Sequence, residues 1–328
     1  MSLNTETGRD RYFAAREREL AALIDPGTGR LAERYARRVG CPGCGGEDQR
    51  VVFEHRGFTF VRCSSCRLVF SNPQVDEALV LGEYRGGVSN DLWVDVLTSE
   101  RQLALDREKF GGILDELEPL RGSGRLLDVG CSIGLFVKLA LDRGWDAEGI
   151  EFSDKAIAYA RATFGIDVVN APLHDPRFRA ASYDVVTLNS VLEHTTEPRR
   201  MLADCSRVLR DGGALYVIVP NVESLACRVL HERAATFDGR NHLVYFSPTT
   251  LRDNLERAGF AVRRLGTRVT SLRPVLEWLA FEEPYGDVDL EHDRLARAAQ
   301  EPETADALHR LIEELDLGYK LHCLATKQ

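Results

Sequence analysis

Apolar residues recur along this chain with two different periods, and the change of period divides it. Over residues 10–38 and 76–120 they return every third or fourth position: Tyr12, Phe13, Leu20 and Leu23, then Leu31 and Tyr35 across a Pro26-Gly27 break, and later an amphipathic run over 99–120 closed by Pro119 and Gly122. That spacing is helical, and proline and glycine end each run. It predicts two short helices over 1–38, packed on residues 39–75 or on a second copy of the chain, and a helical connector over 76–123. From 124 to 328, short unbroken apolar runs take over, near 125–130, 147–151, 166–170, 183–188, 213–219, 261–269 and 318–326. Buried strands alternating with helices make a sheet covered on both faces. The expected class is α/β, with a seven-stranded doubly wound, Rossmann-like sheet, parallel except for a reversed last strand. Residues 270–317 separate its last two strands and hold Trp278, Phe281, Tyr285 and a helical pattern over 301–317. Structureless connections of that length are uncommon. An ordered lid or an association surface is expected there, with homo-oligomer contacts through it or through the N-terminal helices; the acidic run 282–289 reads as solvated surface.

Residues 39–75 follow neither period and carry four of the eight cysteines, as Cys41-Pro-Gly-Cys44 and Cys63-Ser-Ser-Cys66. Two C-x-x-C knuckles at this distance match a zinc ribbon, in which each tight turn aims two sulfurs at one tetrahedral ion. Gly43, Gly45 and Gly46 give the first knuckle its backbone freedom, and the runs 51–55 and 58–62 predict the hairpin between the knuckles. Disulfides are the alternative, disfavoured in a reducing compartment. A redox C-x-x-C would open a helix, which neither knuckle does. Four thiolates leave the metal no open position, so its role is structural, and a unit this small draws its folding energy from the ion. Cys131, Cys205, Cys227 and Cys323 stand singly and are expected to be buried apolar groups.

The segment Arg125-Leu-Leu-Asp-Val-Gly-Cys-Ser-Ile-Gly-Leu-Phe136, followed by Ala147-Glu-Gly-Ile-Glu151, reads as strand, glycine turn, helix, and a second strand ending in a carboxylate. This is the nucleotide-binding half of a doubly wound sheet. A dinucleotide site wants a further glycine where Ser132 stands. Asp128, two residues before the first glycine, would repel a pyrophosphate and suit a cationic amine or sulfonium. S-adenosylmethionine carries both. The pattern resembles the class I S-adenosylmethionine-dependent methyltransferases, whose first motif is (D/E)-x-G-x-G-x-G. The resemblance continues through the stretches 182–194, 208–220 and 242–251 and through Ala258-Gly-Phe260, which look like the later motifs of ubiquinone-type and sugar-type members. The cysteine module, ending Leu68-Val-Phe-Ser-Asn-Pro73, resembles the N-terminal zinc-binding module of bacterial sugar and natural-product methyltransferases, which implies a role in covering substrate or holding a partner.

By this resemblance Gly130 and Gly134 let the cofactor approach closely, Asp128 serves its methionine amine through water or backbone, and Glu151 takes both ribose hydroxyls in a bidentate bond. Phe152 would lie against adenine, Leu173 and Asp175 fall in the loop that contacts it, and Asn189 begins the motif lining the methyl-transfer channel. Methyl transfer is an in-line displacement that needs alignment first and, for a hydroxyl nucleophile, a base second. His194, just after the fourth strand, is the candidate base because imidazole titrates near neutral pH, with Glu193 to orient it. His242 and Tyr245 are second candidates, or packing groups.

Charge narrows the acceptor. The chain carries 42 Lys+Arg against 51 Asp+Glu, a net charge of −9, which argues against nucleic acid and anionic membrane surfaces. The absence of a long apolar run or a leader predicts a cytoplasmic protein. The expected acceptor is a hydroxyl of a sugar, nucleotide-sugar or natural-product intermediate. C-methylation of a nucleotide-sugar is an alternative, as is ribosomal RNA base methylation, which the acid balance and the lack of basic-aromatic interleaving disfavour. A non-catalytic scaffold is a third, opposed by the retained Asp128 and Glu151.

Overall fold

The structure, a computed structural model, describes residues 7–286 and 288–328; residues 1–6 of the expected N-terminal helical segment and Asp287 of the acidic run lie outside the described residues. The chain begins with helix α1 (Arg9–Leu23). The second expected helix does not form. Asp25 instead accepts hydrogen bonds from the backbone N–H groups of Gly27 and Thr28 at 2.8 and 2.9 Å, closing a turn that pairs Ile24–Asp25 with Arg30–Leu31. A short polar side chain that bonds the backbone two and three residues on competes with helix, and only one 3₁₀ turn (Glu33–Tyr35) comes after it.

The cysteine module forms the hairpin of β1 (Gln49–His55) and β2 (Phe58–Cys63), with β3 (Val69–Ser71) alongside β2. Its two-residue turn, Arg56-Gly57, has positive φ at both positions (51° and 82°), the twist that matches antiparallel strands. Helices α2 (Glu77–Gly86), α3 (Val88–Leu97) and α4 (Glu100–Leu117) make the connector.

The large sheet is built from β4 (Arg125–Val129), α5 (Leu135–Asp142), β5 (Asp146–Ile150), α6 (Asp154–Tyr159), β6 (Tyr183–Asn189), α7 (Pro198–Val208) and β7 (Leu209–Pro220). After β8 (Val244–Tyr245) and α8 (Pro248–Arg257) come β9 (Phe260–Arg268), the insertion helices α9 (Arg273–Leu279), α10 (Arg294–Gln300) and α11 (Pro302–Glu314), and β10 (Lys320–Lys327). Strand order is β9-β10-β7-β6-β4-β5, with β10 antiparallel to both neighbours and the other pairs parallel. The seventh position, expected over 166–170, is a single bridge from Val169 to Ile150. Gly165, at φ 68°, and Pro172, which cannot donate, bound that segment and keep it short. Val185 and Tyr216 pack with Leu114, Leu117 and Phe136 on one face, while Val186 and Val217 pack with Leu202, Leu251 and Leu255 on the other. The four single cysteines are buried. Among the described residues no helix is long and apolar enough to cross a membrane.

One connection has no counterpart in the sequence pattern. β8 pairs with β3, Val244 opposite Phe70 and Tyr245 opposite Val69, so the ribbon sheet has four strands. Val61, Leu68 and Phe70 share a core with Leu243, Phe246 and Leu251. The ribbon is thereby stitched to the segment that carries His242.

Candidate functional site

The glycine turn after β4 is left-handed at alternate residues: Gly130 at φ 74°, Ser132 at 50° and Gly134 at 76°. A Cβ on Gly130 would stand 2.5 Å from Val191 Cγ2, and one on Gly134 would stand 3.0 Å from Ala160. Both glycines are required by space as well as by angle. Ser132, where the motif's middle glycine is usual, adopts the same backbone at a cost of about 1 kcal/mol. Its amide donates to Glu151 Oε2 at 2.9 Å, which helps hold it there. Glu151 Oε1 accepts from Phe152 N at 2.6 Å and Ser153 N at 2.9 Å. Three backbone donors thus fix this carboxylate across the gap between the turn and the end of β5. Phe152 is the next residue along.

Asp128 and Asn189 line one small cavity with Ile113, Phe136, Thr187 and Tyr216. Thr187 Oγ1 donates to Asp128 Oδ1 at 2.6 Å, but burial, reinforced by the charge of Glu151, raises the Asp128 carboxyl to about 7. Leu173 buries its side chain in the core and offers its carbonyl to Arg207 at 2.8 Å. Asp175 is engaged by the backbone and guanidinium of Arg177.

After β6, Glu193 and His194 meet His242, bringing a carboxylate oxygen and two ring nitrogens within 4.8 Å of one another. The His194 Nδ1 lies 2.9 Å from the Asn241 carbonyl and 2.8 Å from the Tyr84 hydroxyl. A carbonyl only accepts, so the contact to Asn241 calls for a proton on Nδ1. His242 repeats the arrangement, with Nδ1 3.0 Å from the Thr236 carbonyl, and burial lowers it to about 4, so it stays neutral. Glu193 is 1% exposed, and among the described residues neither of its oxygens has a hydrogen-bond partner. Its Oε1 lies 4.0 Å from His194 Nε2 and 3.8 Å from Lys320 Nζ. Tyr245 is not brought to this cluster: its ring packs against Phe60 and Phe237, and its hydroxyl donates to the His242 carbonyl.

Tyr84 and Lys320 were not anticipated. No local motif marks Tyr84. Lys320 had a signal in topology: a reversed last strand begins at the edge where the parallel strands end, and Lys320 pairs with Pro220, the last residue of β7.

At the knuckles, Cys41 Sγ lies 3.4 Å from Cys66 Sγ, and Cys44 Sγ 3.6 Å from Cys63 Sγ. All four sulfurs fall within 4.8 Å of one another. Thiolates about 2.3 Å from a tetrahedral ion stand about 3.8 Å apart. Each knuckle closes on a left-handed residue, Gly45 (φ 78°) and Arg67 (φ 65°), whose N–H donates to the carbonyl of Cys41 and Cys63. Burial pushes the Cys63 thiol up, but the N–H groups of Cys66 and Ser65 outweigh it and bring it to about 7. The set is compatible with structural zinc.

Residues 100–265 match the model of a family described as a methyltransferase domain. A probable S-adenosylmethionine-dependent methyltransferase of Mycolicibacterium smegmatis is 29% identical over 150 residues, 43% of this chain and 54% of the relative. A ubiquinone biosynthesis O-methyltransferase of Azoarcus sp. is 32% identical over 120 residues, 31% of this chain and 51% of the relative. The chain spans about half the length of these curated relatives. Among solved structures, magnesium protoporphyrin IX methyltransferase from Synechocystis, with bound SAH, superposes with a TM-score of 0.51 at 14% identity, over 77% of this chain and all (100%) of that one, a likeness of fold.

Proposed function

We propose, from the premise that this chain belongs to the methyltransferase-domain family and has the class I S-adenosylmethionine-dependent fold, that it transfers a methyl group to a hydroxyl of a small molecule, a sugar, nucleotide-sugar or natural-product intermediate. The observation that carries this reading is the pair of imidazoles, His194 and His242, each with Nδ1 at a backbone carbonyl and both gathered with the Glu193 carboxylate. S-adenosylmethionine, when bound, supplies a methyl on a cationic sulfur. Gly130 and Gly134 admit it, Glu151 holds the ribose, Phe152 and the loop of Leu173 and Asp175 border the adenine, and Asp128 and Asn189 lie beneath the methionine end. His194 Nε2 takes the acceptor's proton, while Asn241 and Tyr84 hold the ring. The net charge of −9 fits a small acceptor better than RNA. One zinc ion held by Cys41, Cys44, Cys63 and Cys66 maintains the ribbon, residues 39–75.

The test is His194→Ala. Loss of a general base costs about a hundredfold to ten-thousandfold in turnover. The variant is expected to bind cofactor as wild type does, melt within a few degrees of it, and show that loss against a panel of hydroxylated sugars and nucleotide-sugars. Near-normal turnover on the true acceptor would remove His194 as the base.

A further inference from the structure

The carboxylate of Glu193 is buried, has no hydrogen-bond partner among the described residues, and lies at similar distances from two cationic or potentially cationic groups, Lys320 Nζ at 3.8 Å and His194 Nε2 at 4.0 Å. Lys320 is held in place. Its ammonium donates to Ser190 Oγ at 3.0 Å, and Ser190, at φ 57°, turns the chain directly out of β6. A buried carboxylate and a partly exposed ammonium at this separation contribute little to stability. Both have a use in chemistry.

We propose that Lys320 is a positioning residue for proton transfer: by supplying the counter-charge of Glu193 it leaves the His194 ring unprotonated, and so able to accept a proton, near neutral pH. This rests on the reading of His194 as the base. The logic is competition for one carboxylate. With the ammonium present, Glu193 and Lys320 sum to no charge, and a proton on His194 gains little from them. With the ammonium removed, the lone carboxylate favours a proton on the neighbouring ring, and the base is spent before the acceptor arrives. The other groups facing this ring do not supply that charge. Tyr84 approaches from α2 as a neutral phenol, kept so by burial. His242 is neutral, and Asp238 behind it is held by Arg16 at 2.6 Å. Lys109, from α4, acts on Lys320 by repulsion and is itself engaged by Asp106.

The experiment tracks the ring titration of His194 by NMR in the zinc-loaded full chain, assigned by difference with His194→Asn, without need of the acceptor. In Lys320→Met the His194 midpoint is expected to move up by about one pH unit, in Lys320→Arg to stay near wild type, and in Lys320→Met/Glu193→Gln to return. The acidic limb of kcat/KM on the true acceptor is expected to move with it, so that activity lost at pH 7 in Lys320→Met recovers at higher pH. An unmoved or lowered midpoint in Lys320→Met, or a raised one in Lys320→Arg, would overturn the proposal. A moved midpoint together with full turnover in His194→Ala would instead defeat the base reading and leave the electrostatic coupling standing.

Discussion

The two walls of the proposed site are made differently. The wall proposed for the cofactor comes from residues 128–153, one strand-turn-helix-strand unit whose carboxylate, Glu151, is held by three amides of that same unit. The wall proposed for the acceptor is gathered from four separate places: Tyr84 on α2, Glu193 and His194 after β6, His242 before β8, and Lys320 at the start of β10. A local wall keeps its geometry whatever happens far away. A gathered wall depends on every element that brings its parts together, and the ribbon is one of them: the Leu243 carbonyl accepts from Ser71 in β3 at 3.0 Å, while the Leu243 amide donates to the Glu193 carbonyl at 2.8 Å.

The strongest way to break this contrast is to remove the metal. Structural zinc contributes on the order of 10 kcal/mol to folding a module of this kind. Cys63→Ser, or chelation, is expected to unravel residues 40–72, release β3 from β8 and abolish turnover, while calorimetry still finds cofactor binding. Parallel loss of both would mean that the walls are one unit.

A smaller effect separates the walls by pH. Asp128 is raised to about 7 in the folded chain, above the roughly 3.9 of an unfolded aspartate. The folded state therefore keeps a proton that the unfolded state releases, and stability falls as pH rises from about 4 to about 7, then levels. Asp128→Asn, which still offers Thr187 an acceptor, is expected to match wild type near pH 4 and to be more stable at pH 8, by at most about 4 kcal/mol. Thermal melts at the two pH values test this, and a variant less stable at pH 8 contradicts it.

The smallest expected change sharpens the contrast from the other side. Glu151→Ala should weaken S-adenosylmethionine by about 1.5–3 kcal/mol if two charge-assisted bonds are lost, with turnover at saturating cofactor close to wild type. Unchanged affinity by calorimetry would take Glu151 out of the site.

The same contrast explains what was legible in the sequence. Positions fixed by backbone angle or by ligand spacing, such as Gly130, Gly134 and the four knuckle cysteines, are legible because the constraint acts within a few residues. The β4 to β7 run was legible because a sheet buried on both faces demands unbroken apolar strands. Tyr84 joins the site only through tertiary contact, and nothing near it in the chain records this; Lys320 is marked only by the reversed direction of the last strand. Tyr245 looked functional beside His242, yet a strand sends successive side chains to opposite faces, and its ring falls among Phe60 and Phe237. The missing second helix, expected beyond the Pro26-Gly27 break and before residue 39, was a local contest: the apolar period was present, but Asp25 bonding to Gly27 and Thr28 closed a turn first.

The pairing of β3 with β8 also sets a timetable for the chain's birth. Gln74 and Leu243, partners across this junction, are 169 residues apart. During synthesis the ribbon can capture its metal long before its fourth strand exists, and until then Val69, Phe70 and Ser71 present an open, apolar strand edge. Such edges recruit other strands. The exposure ends when residues 244–245 emerge and dock, and it is during that interval, rather than after folding, that this protein is most open to aggregation.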